Sequence, residues 1–416
     1  MTPPAAAPRQ SGPAVLRLPS PSRLPFGLYV VAIYALARVV SFVILSLVAE
    51  RQVPTGMSGG DHTPVNYLGF LAMWDGQWNE HIAMTGYPHT LPLGPDGRIA
   101  QNEWAFHPLF PVVARGIMIV TGWSFNAAAG NVSLVSGFVA AVLVATLLRD
   151  RIGRRGALAV TALWAVFPTA VILQVAYAEA MTIALLAACL LALSKEHWLA
   201  AAAFAVLTGL ARPVALPLAL VALIAAWGRW RRRSVDPLTR GEVIRLLTGL
   251  AGCGMAGFIW PGIAWWVTGV STAYTDTQLA WRGSEPVQPI VPWIDIAHYL
   301  FGPVKGPVIL AVVVVTVLLM TLGPWARGLG VSLRMWTVAY FGYLLAVVVP
   351  FTSIFRHILP LFPLLAVVLG VGRPGRPRSL SMVMLRLVPL LALSIAGQWY
   401  WTDILYQFTP PSDYPP

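Results

Sequence analysis

With 57% apolar and 11% charged residues over 416 positions, and a mean hydropathy of +0.71, the chain falls outside the range of soluble globular proteins and reads as a multi-pass membrane protein. A net charge of +12 would suggest nucleic acid in a soluble chain, but 20 of the 28 Lys and Arg residues lie in the N-terminal tail and the short loops assigned to the same, inner side, so the charge records orientation and nucleic acid is excluded as a partner. Cys189 and Cys253 both fall inside apolar segments, which excludes a disulfide framework or thiolate metal site, and no P-loop, Rossmann or HExxH pattern supports nucleotide or zinc chemistry.

The tail 1–23 carries Arg9, Arg17 and Arg23 and no acid, so the positive-inside rule places it in the cytoplasm. The apolar run 24–49 exceeds the ~7–15 residues of a signal-peptide core and no A-x-A site follows, so it is expected to be a permanent first helix. Arg38, in its middle, either lines a groove or snorkels to the membrane surface.

Residues 50–125 form the expected first extracytoplasmic loop. It contains MWDGQWNEHIAMTGYP, in which Trp74, Trp78 and Ile82 recur every fourth residue, as in a helix lying at headgroup level with its aromatics towards lipid. Asp75 and Asn79 make the neighbouring stripe, which holds a carboxylate beside the bilayer edge. The return segment NEWAFHPLFPVVARGIMIVTG, interrupted by Pro108 and Pro111, reads as a second interfacial helix, and the pair would make a lid.

Helices are then expected near 126–148, 157–175 and 177–194, followed by two short apolar segments, 198–211 and 213–228, too short to span and therefore a shallow hairpin broken at Arg212-Pro213. Further helices near 243–268, 307–323, 335–350, 358–372 and 386–402 bring the total to about eleven and put 403–416 outside. On this topology 12 of the 16 acids lie on the outer side or its membrane edge. The second outer loop, 269–306, mixes Tyr274, Trp281, Trp293 and Tyr299 with Arg282, His298 and Lys305. The fold class is an all-α polytopic membrane protein whose main domain runs over 24–402.

The stretch LAMWDGQWNEHIAMTGYP followed by AFHPLFPVVAR resembles the W-D-x-x-x-(Y/F), G-Y-P and A-F-x-P-L-(Y/F)-P pattern of the PIG-V family of GPI mannosyltransferases and its bacterial relatives. AYAEAMTIALLA, TGLARPVALPLAL, AYTDTQLAWR and SIFRHILPLFPL follow in the family's order, over about 30–372. The resemblance implies a GT-C-type membrane glycosyltransferase of the cell membrane that takes mannose from a polyprenyl-phosphate carrier on the extracytoplasmic face. His107 stands where the pattern commonly has an aromatic, Asn79 where it has Tyr or Phe, and Asp276 where Glu is common; these departures leave the acceptor open between a glycolipid, a polysaccharide and a protein.

The residues themselves suit such chemistry. An attacking acceptor hydroxyl must lose a proton, and Asp75 is the expected general base of an inverting displacement. Arginine forks onto phosphate oxygens, so Arg356 and Arg212 are assigned to the leaving phosphate, with His357 as a further donor. Arg282 and Lys305 either join them or anchor the loop at the interface. Glu179 either orients sugar hydroxyls or pairs with an arginine, and Asn79, Trp74, Trp78, Tyr87 and His107 complete the expected sugar and acceptor side. Asp61, Asp75 and His62 are acidic or imidazole groups without a metal-ligand spacing, and a monophosphate neutralised by arginine has less need of a divalent ion, so no metal and no cofactor is expected. Two alternatives remain: another polyprenyl-phosphate sugar (arabinose, glucose or aminoarabinose), and a lipid-linked sugar flippase. A transporter commonly shows matching broken segments in two halves, and the hairpin 198–228 has no evident counterpart.

Overall fold

The computed structural model describes residues 25–53, 65–283, 286–373, 379–410 and 416; the expected cytoplasmic tail, Asp61 and His62 lie outside them. Among the described residues the chain is helical throughout, with one isolated antiparallel bridge between Leu93 and Ile99. In order the helices are α1 (Phe26–Ala49), α2 (Tyr67–Leu71), α3 (Asp75–Thr85), α4 (Leu109–Thr121), α5 (Phe125–Ala165), α6 (Glu179–Ser194), α7 (Trp198–Ala211), α8 (Leu216–Arg231) and α9 (Arg240–Met255). They continue with α10 (Ile259–Thr268), α11 (Ala273–Trp281), α12 (Val291–Phe301), α13 (Lys305–Leu322), α14 (Gly330–Val347), α15 (Ile354–His357), α16 (Pro363–Val368) and α17 (Leu380–Trp401).

Among the described residues five helical stretches are long and apolar enough to cross a membrane, or six when α9 and α10, bent by 63° at their junction, count as one span. That is fewer than the eleven segments expected. The difference lies in broken elements: α6 and α7 have the composition of spans in short lengths, and the expected helix 358–372 is a 3-10 turn at Leu359–Leu361 followed by the six residues of α16. The break expected at Arg212-Pro213 is present, but its two arms pack on α6, α9 and α14 rather than on each other. α7 ends at Ala211, Arg212 is fully extended (φ −160°, ψ 158°), and α8 begins four residues later. α7 packs tightly on α9, where a Cβ on Gly209 would collide with the Ala256 carbonyl; small residues permit this approach, and helices in lipid use it because no hydrophobic force drives them together.

The expected helix 157–175 also departs. α5 breaks at Gly153 (φ 76°, ψ 168°), resumes, and stops at Ala165; residues 166–178 then run through a 3-10 turn at Ala170–Leu173 in irregular conformation, with Val171 to Ala176 buried. Non-helical backbone in an apolar interior needs partners for its polar groups. Arg38 supplies them. It is buried in α1 and donates from Nη2 to Ala165 O (2.6 Å) and from Nη1 to Ala170 O (2.7 Å), so it clasps the end of α5 and lines no groove. We expect Arg38→Met to cost on the order of 2–5 kcal/mol by stranding these two acceptors, read as a fall in the thermal unfolding midpoint in detergent. A midpoint equal to that of the unmodified protein would show that the clasp is dispensable.

Candidate active site

The segment 166–178 ends on Tyr177-Ala178 and leads into Glu179, the first residue of α6. It is stitched to the residues around Asp75: Ala176 N–H donates to Leu71 O (2.9 Å), Asn79 Nδ2 donates to Ala176 O (3.2 Å), and the Asp75 N–H donates to the Tyr177 hydroxyl (3.3 Å). From the other side Tyr406, beyond the end of α17, sets its hydroxyl 2.9 Å from Phe70 O and 3.1 Å from Leu71 O, while Trp74 Nε1 donates to Tyr406 O (2.7 Å). Trp74 itself has φ 58° and ψ −118°, a conformation costly for a tryptophan and sustained only by such surrounding contacts. Asp75 therefore opens α3 from a backbone fixed on two sides.

Four ionised side chains from separate parts of the chain meet there. Arg356 Nη1 lies 2.7 Å from Asp75 Oδ2 and 3.6 Å from Glu179 Oε1. Glu179 Oε1 also pairs with Arg212 Nη1, and Arg212 Nη2 donates to His357 Nε2 at 3.2 Å. An imidazole nitrogen that accepts from a guanidinium carries no proton, so His357 is neutral in this arrangement. The Arg356 guanidinium sits 5.1 Å from the centroid of the Tyr177 ring. Glu179 and Arg356 are buried, and Glu179 Oε2 and Arg356 Nε have no hydrogen-bond partner among the described residues. Buried polar atoms left open in this way mark room for something else to bond. A cavity of about 20 Å³ touches them, lined also by Arg212, Tyr340 and His357.

Two larger spaces flank this chain of charges. An almost wholly apolar cavity of about 290 Å³ is walled by Trp164, Phe167, Phe341, Phe355, Ile358 and Phe362, and two of these residues adjoin Arg356 and His357 in sequence. The other, about 400 Å³, lies against α11, α14 and the break after Arg212, and Arg282 lines it. The Arg282 Nη2 donates to Val347 O at 3.0 Å.

The remaining expected site residues take other positions. The Trp74, Trp78 and Ile82 face of α3, expected to present its aromatics to the headgroups, packs into the protein instead: Trp74 and Ile82 are buried, and Trp78 stacks on Phe106 and meets Trp281 edge-on. A fourfold apolar repeat marks a buried face without specifying whether lipid or protein covers it. Asn79 is occupied with the Ala176 carbonyl, and Tyr87 packs with Trp104 and Trp260 while its hydroxyl donates to Phe106 O (3.2 Å). His107 is buried with Nδ1 2.6 Å from Gly209 O and Nε2 3.5 Å from the Tyr274 hydroxyl. Burial, with Arg212 nearby, pushes its pKa down to about 3, so a neutral His107 donates to the hairpin carbonyl and ties the loop to α7. Lys305, exposed at the first turn of α13, lines none of these three cavities and is not brought to the charged group. Sequence reasoning passed over Tyr177, although it lies in the AYAEAM stretch beside Glu179, and Tyr406, for which the sequence offers no local signal.

No family model matches the chain, and no curated protein does. Among solved structures, the fold is similar to that of ArnT from Cupriavidus metallidurans bound to undecaprenyl phosphate, with a TM-score of 0.50 and 14% identity, covering 90% of this chain and 76% of that one. Two structures of the Archaeoglobus fulgidus oligosaccharyltransferase score lower. AglB in complex with an inhibitory peptide and a dolichol-phosphate gives 0.48 at 12% identity, and the apo form 0.47 at 14%; each match covers 92% of this chain and little more than half of the other, 56% and 57%. The chain thus shares its all-helical fold with ArnT over most of its length, and carries several apolar helices of membrane-crossing length, as expected from its sequence.

Proposed function

We propose that this protein is a membrane glycosyltransferase that moves a sugar, mannose by its motif resemblance, from a polyprenyl-phosphate donor to an acceptor hydroxyl on the extracytoplasmic face. The observation that carries the reading is the convergence of two arginines and two carboxylates on one side of the segment 354–362, whose other residues, among them Phe355, Ile358 and Phe362, wall an apolar cavity. A prenyl-phosphate sugar has the matching three parts. Its isoprenoid end suits the Trp164 and Phe362 cavity, its phosphate suits Arg356 and Arg212, and its sugar falls near Asp75 and Glu179.

In the reaction the acceptor oxygen forms a bond to the anomeric carbon from the face opposite the phosphate, and its proton passes to an Asp75 carboxylate oxygen. The bond between the anomeric carbon and the phosphate oxygen breaks with its electron pair going to the phosphate, and Arg356 and Arg212 stabilise the charge that builds there. Asp75 and the donor phosphate compete for Arg356. Phosphate entry therefore loosens the 2.7 Å ion pair and leaves the carboxylate free to take a proton. A monophosphate leaving group met by two guanidinium groups needs no metal ion in this scheme.

Incubating the purified protein in micelles with labelled polyprenyl-phosphate mannose and cell-envelope extract tests the reading. A new glycosidic product supports it; movement of lipid-linked sugar between leaflets of a vesicle with no product would favour a flippase. The sidedness rests on the charge asymmetry, and we expect a cysteine at Thr90 to react with an impermeant thiol reagent added outside cells and one at Ser234 to stay unlabelled. Labelling of the Ser234 position from outside would reverse the orientation.

A further inference from the structure

The donor, as placed above, leaves the larger cavity empty of any role. Its walls differ in kind from those of the apolar cavity: Tyr274, Asp276, Gln278 and Arg282 of α11 and the residue after it face Tyr343 of α14 and Pro213 of the hairpin break. It adjoins the charged group at two points: Pro213 directly follows Arg212, and Tyr343 stacks near Tyr340, at 6.2 Å between centroids, while Tyr340 lines the small space beside Glu179. The Tyr274 hydroxyl also reaches His107, which ties the loop to α7. α11 is also linked to the Asp75 helix, because Trp281 meets Trp78 at 5.0 Å.

We propose that this cavity is the acceptor site and that the acceptor presented there is a saccharide of one or two rings. The inference rests on the transferase reading and narrows it by removing a protein acceptor, leaving the sugar-bearing end of a glycolipid or polysaccharide. A pyranose offers an apolar C–H face and a rim of hydroxyls, each both donor and acceptor, so its site needs aromatic rings together with side chains that donate and side chains that accept. Here Tyr274 and Tyr343 supply rings, the Asp276 carboxylate only accepts, Arg282 only donates, and Gln278, whose Nε2 already donates to Ala105 O at 3.1 Å, offers its amide oxygen and its second N–H. An isoprenoid or acyl chain would use none of these polar groups. A volume of about 400 Å³ lies within the range of small-ligand pockets, ~300–1,000 Å³. Arg282, assigned from sequence to the donor phosphate or to anchoring, is held at the end of α14 by the Val347 carbonyl and becomes a determinant of the acceptor.

The test is direct binding, independent of turnover. The full-length protein in micelles is photolabelled with diazirine derivatives of methyl mannoside, glucoside, galactoside and the corresponding disaccharides, and labelled peptides are mapped by mass spectrometry with free disaccharide as competitor. The expected labels lie in 273–282 and 340–347. Asp276→Asn and, separately, Gln278→Ala weaken competition at least about tenfold, the loss of one hydrogen bond to a sugar hydroxyl; prenyl-phosphate binding on the same samples serves as the control for folding. Glycoside labels confined to the apolar cavity, labelling insensitive to both variants, or no labelling while a serine-containing peptide competes for 273–282 would each overturn the proposal. Labelling as expected in a protein that transfers no sugar would instead remove the transferase reading and leave a saccharide-binding chamber.

Discussion

Asp75→Asn is expected to lower turnover about 100- to 10,000-fold, the range typical of a missing acid–base group, without weakening donor binding. Asparagine keeps the size and hydrogen bonding of the side chain and cannot take the acceptor's proton. It also removes the carboxylate that contends with the donor phosphate for Arg356, so donor affinity holds or rises. The separation is read by pairing single-turnover transfer with equilibrium binding of the prenyl-phosphate sugar; a loss confined to turnover is the signature of an interaction made only in the transition state. Turnover close to that of the unmodified protein would transfer the role of base to Glu179 or Asp61.

Arg356→Lys is expected to lower turnover about 100- to 1,000-fold, as for removal of a preorganised donor at a developing anion. Lysine keeps the charge and loses the planar guanidinium, whose Nη1 lies between Asp75 and Glu179, and its shorter reach past Tyr177 withdraws it from the phosphate. Here donor affinity falls as well, which distinguishes the phosphate-binding role from that of the base. The loss should persist in micelles, where no second leaflet exists. A lysine variant with unchanged donor affinity would mean that Arg356 serves only to hold Asp75.

The break at Arg212-Pro213 and the charged group were legible in the sequence because each announces itself locally. An arginine followed by proline between two apolar segments of submembrane length leaves few other readings, and α7 runs over the expected 198–211. Asp75, Glu179, Arg212 and Arg356 stood out as ionisable residues in apolar surroundings, which are expensive unless they meet. What stayed hidden depends on distant partners. The irregular segment 166–178 is as apolar as a helix, and only Arg38, 132 positions before Ala170, makes its broken hydrogen bonding tolerable. The internal packing of Trp78 requires Trp281 on α11, which periodicity within α3 does not reveal. Lys305 was open between phosphate contact and anchoring, because composition alone does not separate a cation at a membrane edge from one in a site; its exposed place at the first turn of α13 favours the anchor.

The strap formed by residues 402–408 sets the order in which the site comes into being. Trp74 is held by a carbonyl 332 positions further along the chain, and Gln52 is bridged to Phe408 in the same region. A ribosome delivers these partners after every other residue of the site, and contacts of such long separation pay their chain-closure entropy before any stabilisation returns. Every earlier span can be inserted while the Asp75 backbone is still unfixed, so on the proposed mechanism the site has no positioned base until residues 402–408 are made. Chains stalled before Thr402 should accordingly insert normally and transfer no sugar, and a stalled chain with full activity would show that the strap is not required.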